Sequence, residues 1–105
     1  MKPTASEALV RALKSGFSGF DGTIRFERIM RRGWTSITFS GERHRVGLRI
    51  EGKEAQTRTD SFLAGLPERD FRLRGHLLAD IAVVEDRRDP SGASLVLDVL
   101  TVEAD

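Results

Sequence analysis

The stretch HLLADIAVVEDRRDPSGASLVLDVLTV, residues 76–102, decides how this chain folds. Two apolar runs of strand length flank Asp89-Pro90-Ser91-Gly92, where Pro and Gly stand at positions a β-turn favours. The pattern predicts a long extended segment from about Phe71 to Glu85 and a last strand from about Ser94 to Val102, joined as a hairpin.

Both of these strands are apolar on two faces. In the first, Phe71, Leu73, Leu77, Ala79, Ile81 and Val83 make one face, while the other runs Arg72, Arg74, His76 and then Leu78, Ala82, Val84. In the second, Leu95, Leu97 and Val99 lie opposite Val96, Leu100 and Val102, with Asp98 interrupting. A sheet covered by helices on one side ordinarily keeps its other face polar. Exposing Leu78, Ala82, Val84, Val96, Leu100 and Val102 to water would cost several kcal/mol at roughly 25 cal/mol per Å2, comparable to the net stability of a small domain. The reading is that these six residues meet a second copy, two-fold dimers being the commonest soluble oligomers. Burial inside a curled half-barrel is the alternative.

Upstream of the hairpin the chain reads as helix, strands, helix. Thr4-Ala5-Ser6-Glu7 fits a capping box, and Ala5, Ala8, Leu9, Ala12 and Leu13 recur at helical spacing, predicting a helix over 5–15. Gly16 is placed to end it in the left-handed conformation, with Phe17 folding back. Ile24 and Phe26 then alternate with Arg25 and Glu27, and the pattern slips near Arg28-Ile29-Met30, where a bulge restores register. Arg31-Arg32-Gly33 reads as a turn, Trp34–Ser40 as a second strand, Ser40-Gly41 as another turn, and Arg43–Ile50 as a third strand. From Lys53 the helical period returns through Ala55, Thr59, Phe62, Leu63 and Leu66, and Pro67 closes that helix.

The expected fold class is therefore α+β, with a five-stranded, mainly antiparallel, strongly curved sheet and two helices packed on one face. The order is α-β-β-β-α-β-β, in a single domain spanning residues 1–105. The two halves resemble each other faintly, Ala8-Leu9-Val10-Arg11-Ala12-Leu13 against Ser61-Phe62-Leu63-Ala64-Gly65-Leu66, each followed by strands.

Composition narrows the chemistry. With 39% hydrophobic and 31% charged residues the chain resembles ordinary globular proteins rather than disordered ones. The absence of cysteine removes disulfides, thiolate metal sites and thiol nucleophiles, and suits a reducing compartment. The opening residues lack the apolar stretch of a signal peptide and no apolar run reaches membrane-spanning length, so a cytoplasmic location without membrane contact is expected. Net charge is +1, but residues 1–52 carry ten basic and five acidic side chains while residues 53–105 carry seven and eleven.

Alternation groups Arg25, Arg43, Arg45 and Arg49 with Trp34, Ser36 and Thr38 on the outward face of the meander. Arg72, Arg74 and His76 extend that group if the fourth strand pairs alongside. Guanidinium groups beside an aromatic ring suit an anionic ligand or single-stranded nucleic acid, although a net charge of +1 is far from a strongly basic signature. His44 with Glu42, and His76 with Asp80, each fall short of three metal ligands, so structural or exposed histidines are expected and no metal. No serine sits in a Gly-x-Ser-x-Gly setting, and the glycine-rich run Gly16–Gly22 follows a helix rather than preceding one, the wrong order for cradling phosphate.

One string, Leu63-Ala64-Gly65-Leu66-Pro67-Glu68-Arg69-Asp70, resembles the signature of the LAGLIDADG homing endonucleases, whose core also runs helix, strands, helix, strands. That resemblance implies a metal-binding acidic residue at Asp70. It covers eight residues, Pro67 interrupts the signature helix, and Phe71 stands where the family has Gly. The functional expectation is thus a non-enzymatic binding or assembly module that needs no cofactor and homodimerises through its C-terminal hairpin. Its alternative is an anionic ligand or nucleic acid held on the Arg/Trp face.

Overall fold

The computed structural model describes residues 4–69, 71 and 73–104. The elements are α1 (Ala5–Ser15), β1 (Thr23–Thr35), β2 (Ser40–Glu51), α2 (Ala55–Gly65), a 3-10 turn (Leu66–Glu68), β3 (His76–Asp89) and β4 (Gly92–Glu103). The four strands form one antiparallel sheet in the order β1-β2-β4-β3, with β1 and β3 at its edges. Two helix-strand-strand halves therefore lie side by side, joined at the centre by β2 and β4.

The helix boundaries follow from local chemistry. Glu7 donates its backbone N–H to Thr4 Oγ1 at 3.1 Å, capping α1. Leu9, Leu13, Phe17, Ala55, Phe62 and Leu66 then bury one stripe from each helix against Val46, Leu48, Ile50, Leu95, Leu97 and Val99 of the central strands. The Phe17 and Phe62 rings stack at 4.6 Å, linking the end of α1 to α2. Gly16 does not turn left-handed. It keeps helical dihedrals (φ −67°, ψ −14°), and the need for glycine is spatial, since a Cβ there would lie 2.8 Å from the Phe62 ring. The α2 helix ends at Gly65, and Pro67 continues the chain in the 3-10 turn.

The sheet has four strands, not five, and it is open rather than strongly curved. The error lies at Arg31-Arg32-Gly33, which is no turn: β1 runs straight through it, pairing Arg31 with His44, Arg32 with Arg43 and Gly33 with Glu42. Reversal comes instead at residues 36–39. There Ser36 Oγ accepts from the Phe39 N–H and donates to the Phe39 carbonyl, a serine side chain closing the loop in place of a further strand. The element order is accordingly α-β-β-α-β-β. With four strands and both edges unpaired among the described residues, the sheet stays open instead of closing into a half-barrel.

Three register shifts set which side chains share a face: one in β1 between Phe26 and Arg28, and two in β3, between Leu78 and Asp80 and between Val83 and Glu85. Residues paired across antiparallel strands project to the same side. The inner face, under the helices, carries Ile24, Phe26, His44, Val46, Leu48, Ile50, Leu95, Leu97 and Val99. Among the described residues no helix lies on the opposite, outer face.

Candidate binding face of the sheet

The outer face is built in rows by the strand register. Reading β1 to β3, one row is Arg28, Gly47, Val96, Glu85; the next is Met30, Arg45, Asp98, Ala82; the third is Arg32, Arg43, Leu100, Asp80; the fourth is Trp34, Gly41, Val102, Leu77. Beyond the Arg28 row lies Arg25, Arg49, Ser94, Arg87. Basic residues fill the β1–β2 half, whereas the β4–β3 half is apolar and acidic from Glu85 and Val96 onward, with Arg87 basic in the row before them. The two surfaces suggested by the sequence, one Arg-rich and one apolar, are halves of a single face.

Of the predicted ligand-binding residues, Arg25, Trp34, Arg43, Arg45 and Arg49 share this face. Arg74 and His76 do not join them, because β3 lies at the far edge of the sheet, separated from β1 and β2 by β4. Arg74 occupies the turn before β3, its carbonyl 3.2 Å from His76 Nδ1, and His76 opens β3 opposite Glu103. Arg72 and Asp70 lie outside the described residues. Of the predicted interface residues, Ala82, Val96, Leu100 and Val102 are on the outer face, and Val84, in a bulge, borders a depression there with Arg28, Met30 and Val96. Leu78 is on the inner face, opposite Thr101, because the bulge after it reverses the side on which later residues emerge.

The guanidinium groups are not equivalent. Arg49, 10% exposed, is held by Asp89 and Glu51 and by the hydroxyls of Ser91 and Ser94, so it anchors the β3–β4 turn. Arg45 makes a two-pronged pair with Asp98 at 2.7 and 2.9 Å, which raises the Arg45 pKa and lowers that of Asp98. Arg25 contacts Glu27 and Glu51. Arg28, Arg32 and Arg43 are exposed and have no carboxylate within 4 Å among the described residues.

Arg32, Arg43 and Arg45 border a shallow depression of about 380 Å3 with Met30, Asp80, Asp98 and Leu100. Sequence reasoning missed Arg28, Met30 and Arg32 as members of this face. Their signal was present, since Arg28, Met30, Arg32 and Trp34 alternate without interruption once Gly33 is allowed inside a strand. Trp34 is half-buried, and its indole N–H is buried without a hydrogen-bond partner among the described residues.

His44 belongs to the other side of the sheet, where it is 2% exposed. Thr101 Oγ1 donates to the Glu42 carbonyl, so it accepts from His44 Nε2–H at 2.9 Å, leaving Nδ1 to accept from the Ser6 hydroxyl at 3.2 Å. Both ring nitrogens are thereby satisfied in the neutral form, and the ring ties α1 to β2 and β4. Burial, above all, pulls its pKa below the ordinary 6.5. The unfolded chain then takes up a proton before the folded one does, so stability is full above the ordinary value and declines as the pH falls through it toward the folded pKa. Urea unfolding from about pH 7.5 to about pH 5.5 should show that decline, and His44→Gln should flatten it. An equally steep decline in the variant would rule His44 out as its source.

Among the described residues no three His, Asp or Glu side chains converge to hold a metal ion, and no helix is long and apolar enough to cross a membrane. No protein-family model matches the chain, and no curated protein and no solved structure is significantly similar to it.

Proposed function

We propose that this chain is a non-enzymatic assembly module that pairs with a second copy through the outer face of its sheet, the C-terminal hairpin contributing the apolar half. The observation that carries the reading is the combination of a face without a helix and the residues on it. Val96, Leu100 and Val102 on β4 lie beside Leu77 and Ala82 on β3, and Leu77 is 61% exposed. Each further 100 Å2 of such surface left in water costs about 2.5 kcal/mol. Sheet-on-sheet packing is the arrangement that covers a face of this shape.

Sedimentation velocity at micromolar concentration tests the reading. The wild-type chain is expected to be a dimer, and Leu100→Asp, at a half-buried position in the middle of the face, a monomer with unchanged circular dichroism. A wild-type monomer throughout the micromolar range would overturn it.

A second reading, an anionic ligand on the β1–β2 half, is favoured by Arg28, Arg32 and Arg43, which have no carboxylate within 4 Å among the described residues. Asp80, Asp98 and Glu85 on the same face weigh against a long polyanion, which would have to approach all three. Titrating the chain with inorganic phosphate and with a single-stranded oligonucleotide at low salt, while following Trp34 fluorescence, separates the two readings. Saturable quenching with either supports the second reading, and a flat response removes it.

A further inference from the structure

The order of charges along the rows points to one particular dimer. Resting on the homodimer reading, we infer that the second copy docks face to face about a two-fold axis parallel to the strands and lying between β2 and β4. Such an axis keeps each row at its level and reverses its order, so β1 faces β3 of the second copy and β2 faces its β4.

Each central row then meets its complement. Arg28 faces Glu85 of the second copy, Arg32 faces Asp80, and Arg45 faces Asp98, each contact occurring twice by symmetry. The uncharged positions fit as well. Gly47 faces Val96 and Gly41 faces Val102, small against branched, while Met30 faces Ala82, Trp34 faces Leu77 and the stem of Arg43 lies against Leu100.

The competing face-to-face arrangement turns the copies about an axis perpendicular to the strands. Centred on the Met30 row, it would set Arg45 on Arg45, Asp98 on Asp98, Arg28 on Arg32 and Glu85 on Asp80. Arg45 and Asp98 are already paired within each copy, so the contacts that count most against it are Arg28 on Arg32 and Glu85 on Asp80, both repulsive. The strand-parallel axis avoids these clashes and keeps the two sheets aligned, as in β-sandwiches. Its one like-charge contact among these rows, Arg25 facing Arg87, falls outside the central levels.

The size of the face agrees. Four strands and four rows span about 19 Å by about 27 Å, and side chains roughen that footprint toward the ~600 Å2 per partner at which specific interfaces begin. The twist of the two sheets confines close facing to the middle levels, where the three charge pairs lie. These pairs choose the axis, and the apolar residues between them supply the driving force.

The test is a charge exchange read by sedimentation velocity and by mixing. Arg32→Asp puts acid against Asp80 at both ends of its dimer, and Asp80→Arg puts base against Arg32. Each variant alone should dissociate at least about 30-fold more readily than the wild type. In an equimolar mixture, the mixed dimer sets the introduced carboxylate against the introduced guanidinium at one contact and keeps the original Arg32 against Asp80 at the other. With both contacts attractive again, it should regain a dimer close to wild-type strength. Both positions are exposed, so folding should be unaffected, and the exchange of Arg28→Glu with Glu85→Arg repeats the experiment on an independent pair. A dimeric wild type whose variants fail to complement in both exchanges would overturn the axis while leaving the dimer intact. A monomeric wild type would overturn both.

Discussion

Phe62→Ala is expected to destabilise the chain by about 4 kcal/mol, because it removes a ring that joins both helices. Phe62 is 3% exposed, stacks on Phe17, and fills the space beside Gly16 where no side chain fits. Its removal leaves a cavity bounded by a glycine and a second aromatic ring, neither of which can move far to fill it. In a domain whose whole stability is of the order of 5–15 kcal/mol, such a loss brings the folded and unfolded states close to balance. Urea unfolding with an unchanged slope and a much lower midpoint would agree, and a loss below about 1 kcal/mol would mean the helices are held together elsewhere.

The second large effect is expected at Asp89. Its carboxylate accepts from Arg49, from the Ser91 hydroxyl and from the backbone N–H groups of Ser91 and Gly92, so one side chain closes the β3–β4 turn and neutralises a nearly buried guanidinium. The bond from Arg49, followed by that from the Ser91 hydroxyl, holds the Asp89 pKa far below its ordinary 3.8. Because the folded-state value is depressed, the stabilisation is complete above the ordinary carboxylate range and is lost progressively below it, as the pH falls toward the folded-state value. Asp89→Ala should lower Tm by about 10 °C at neutral pH and lessen the further loss on acidification. If Tm were unchanged, Asp89 would not be what fixes Arg49, and Glu51, Ser91 and Ser94 would hold it alone. The expected fall marks Arg49 as part of the scaffold, unlike Arg28, Arg32 and Arg43.

Where local chemistry governs, the fold could be read from the sequence. Thr4 and Glu7 announce α1, the apolar spacing from Ala55 to Leu66 announces α2, and Asp89-Pro90-Ser91-Gly92 announces the last turn, because each signal lies within a few residues of what it specifies. Arg31-Arg32-Gly33 misled because a glycine between polar residues marks a turn as readily as it tolerates a strand. What decides between them is Arg43, His44 and Glu42 on the neighbouring strand, contacts that β1 alone does not reveal. The bulges at Glu27, Ala79 and Val84 had the same effect on the candidate face. Each shifts by one the parity by which outward residues are counted, which removed Leu78 from the face and hid Arg28, Met30 and Arg32. That the Arg-rich and apolar surfaces adjoin depends on β2 lying next to β4, a long-range pairing that no short stretch encodes.

That pairing also bears on how the chain reaches its fold. The β1–β2 and β3–β4 hairpins close over loops of a few residues, so each can zip early at little entropic cost. The seam between β2 and β4 must wait for a closure that spans all of α2 and β3. The step expected to limit folding is therefore the closure of the β2–β4 seam, and the outer face is completed only when that seam closes.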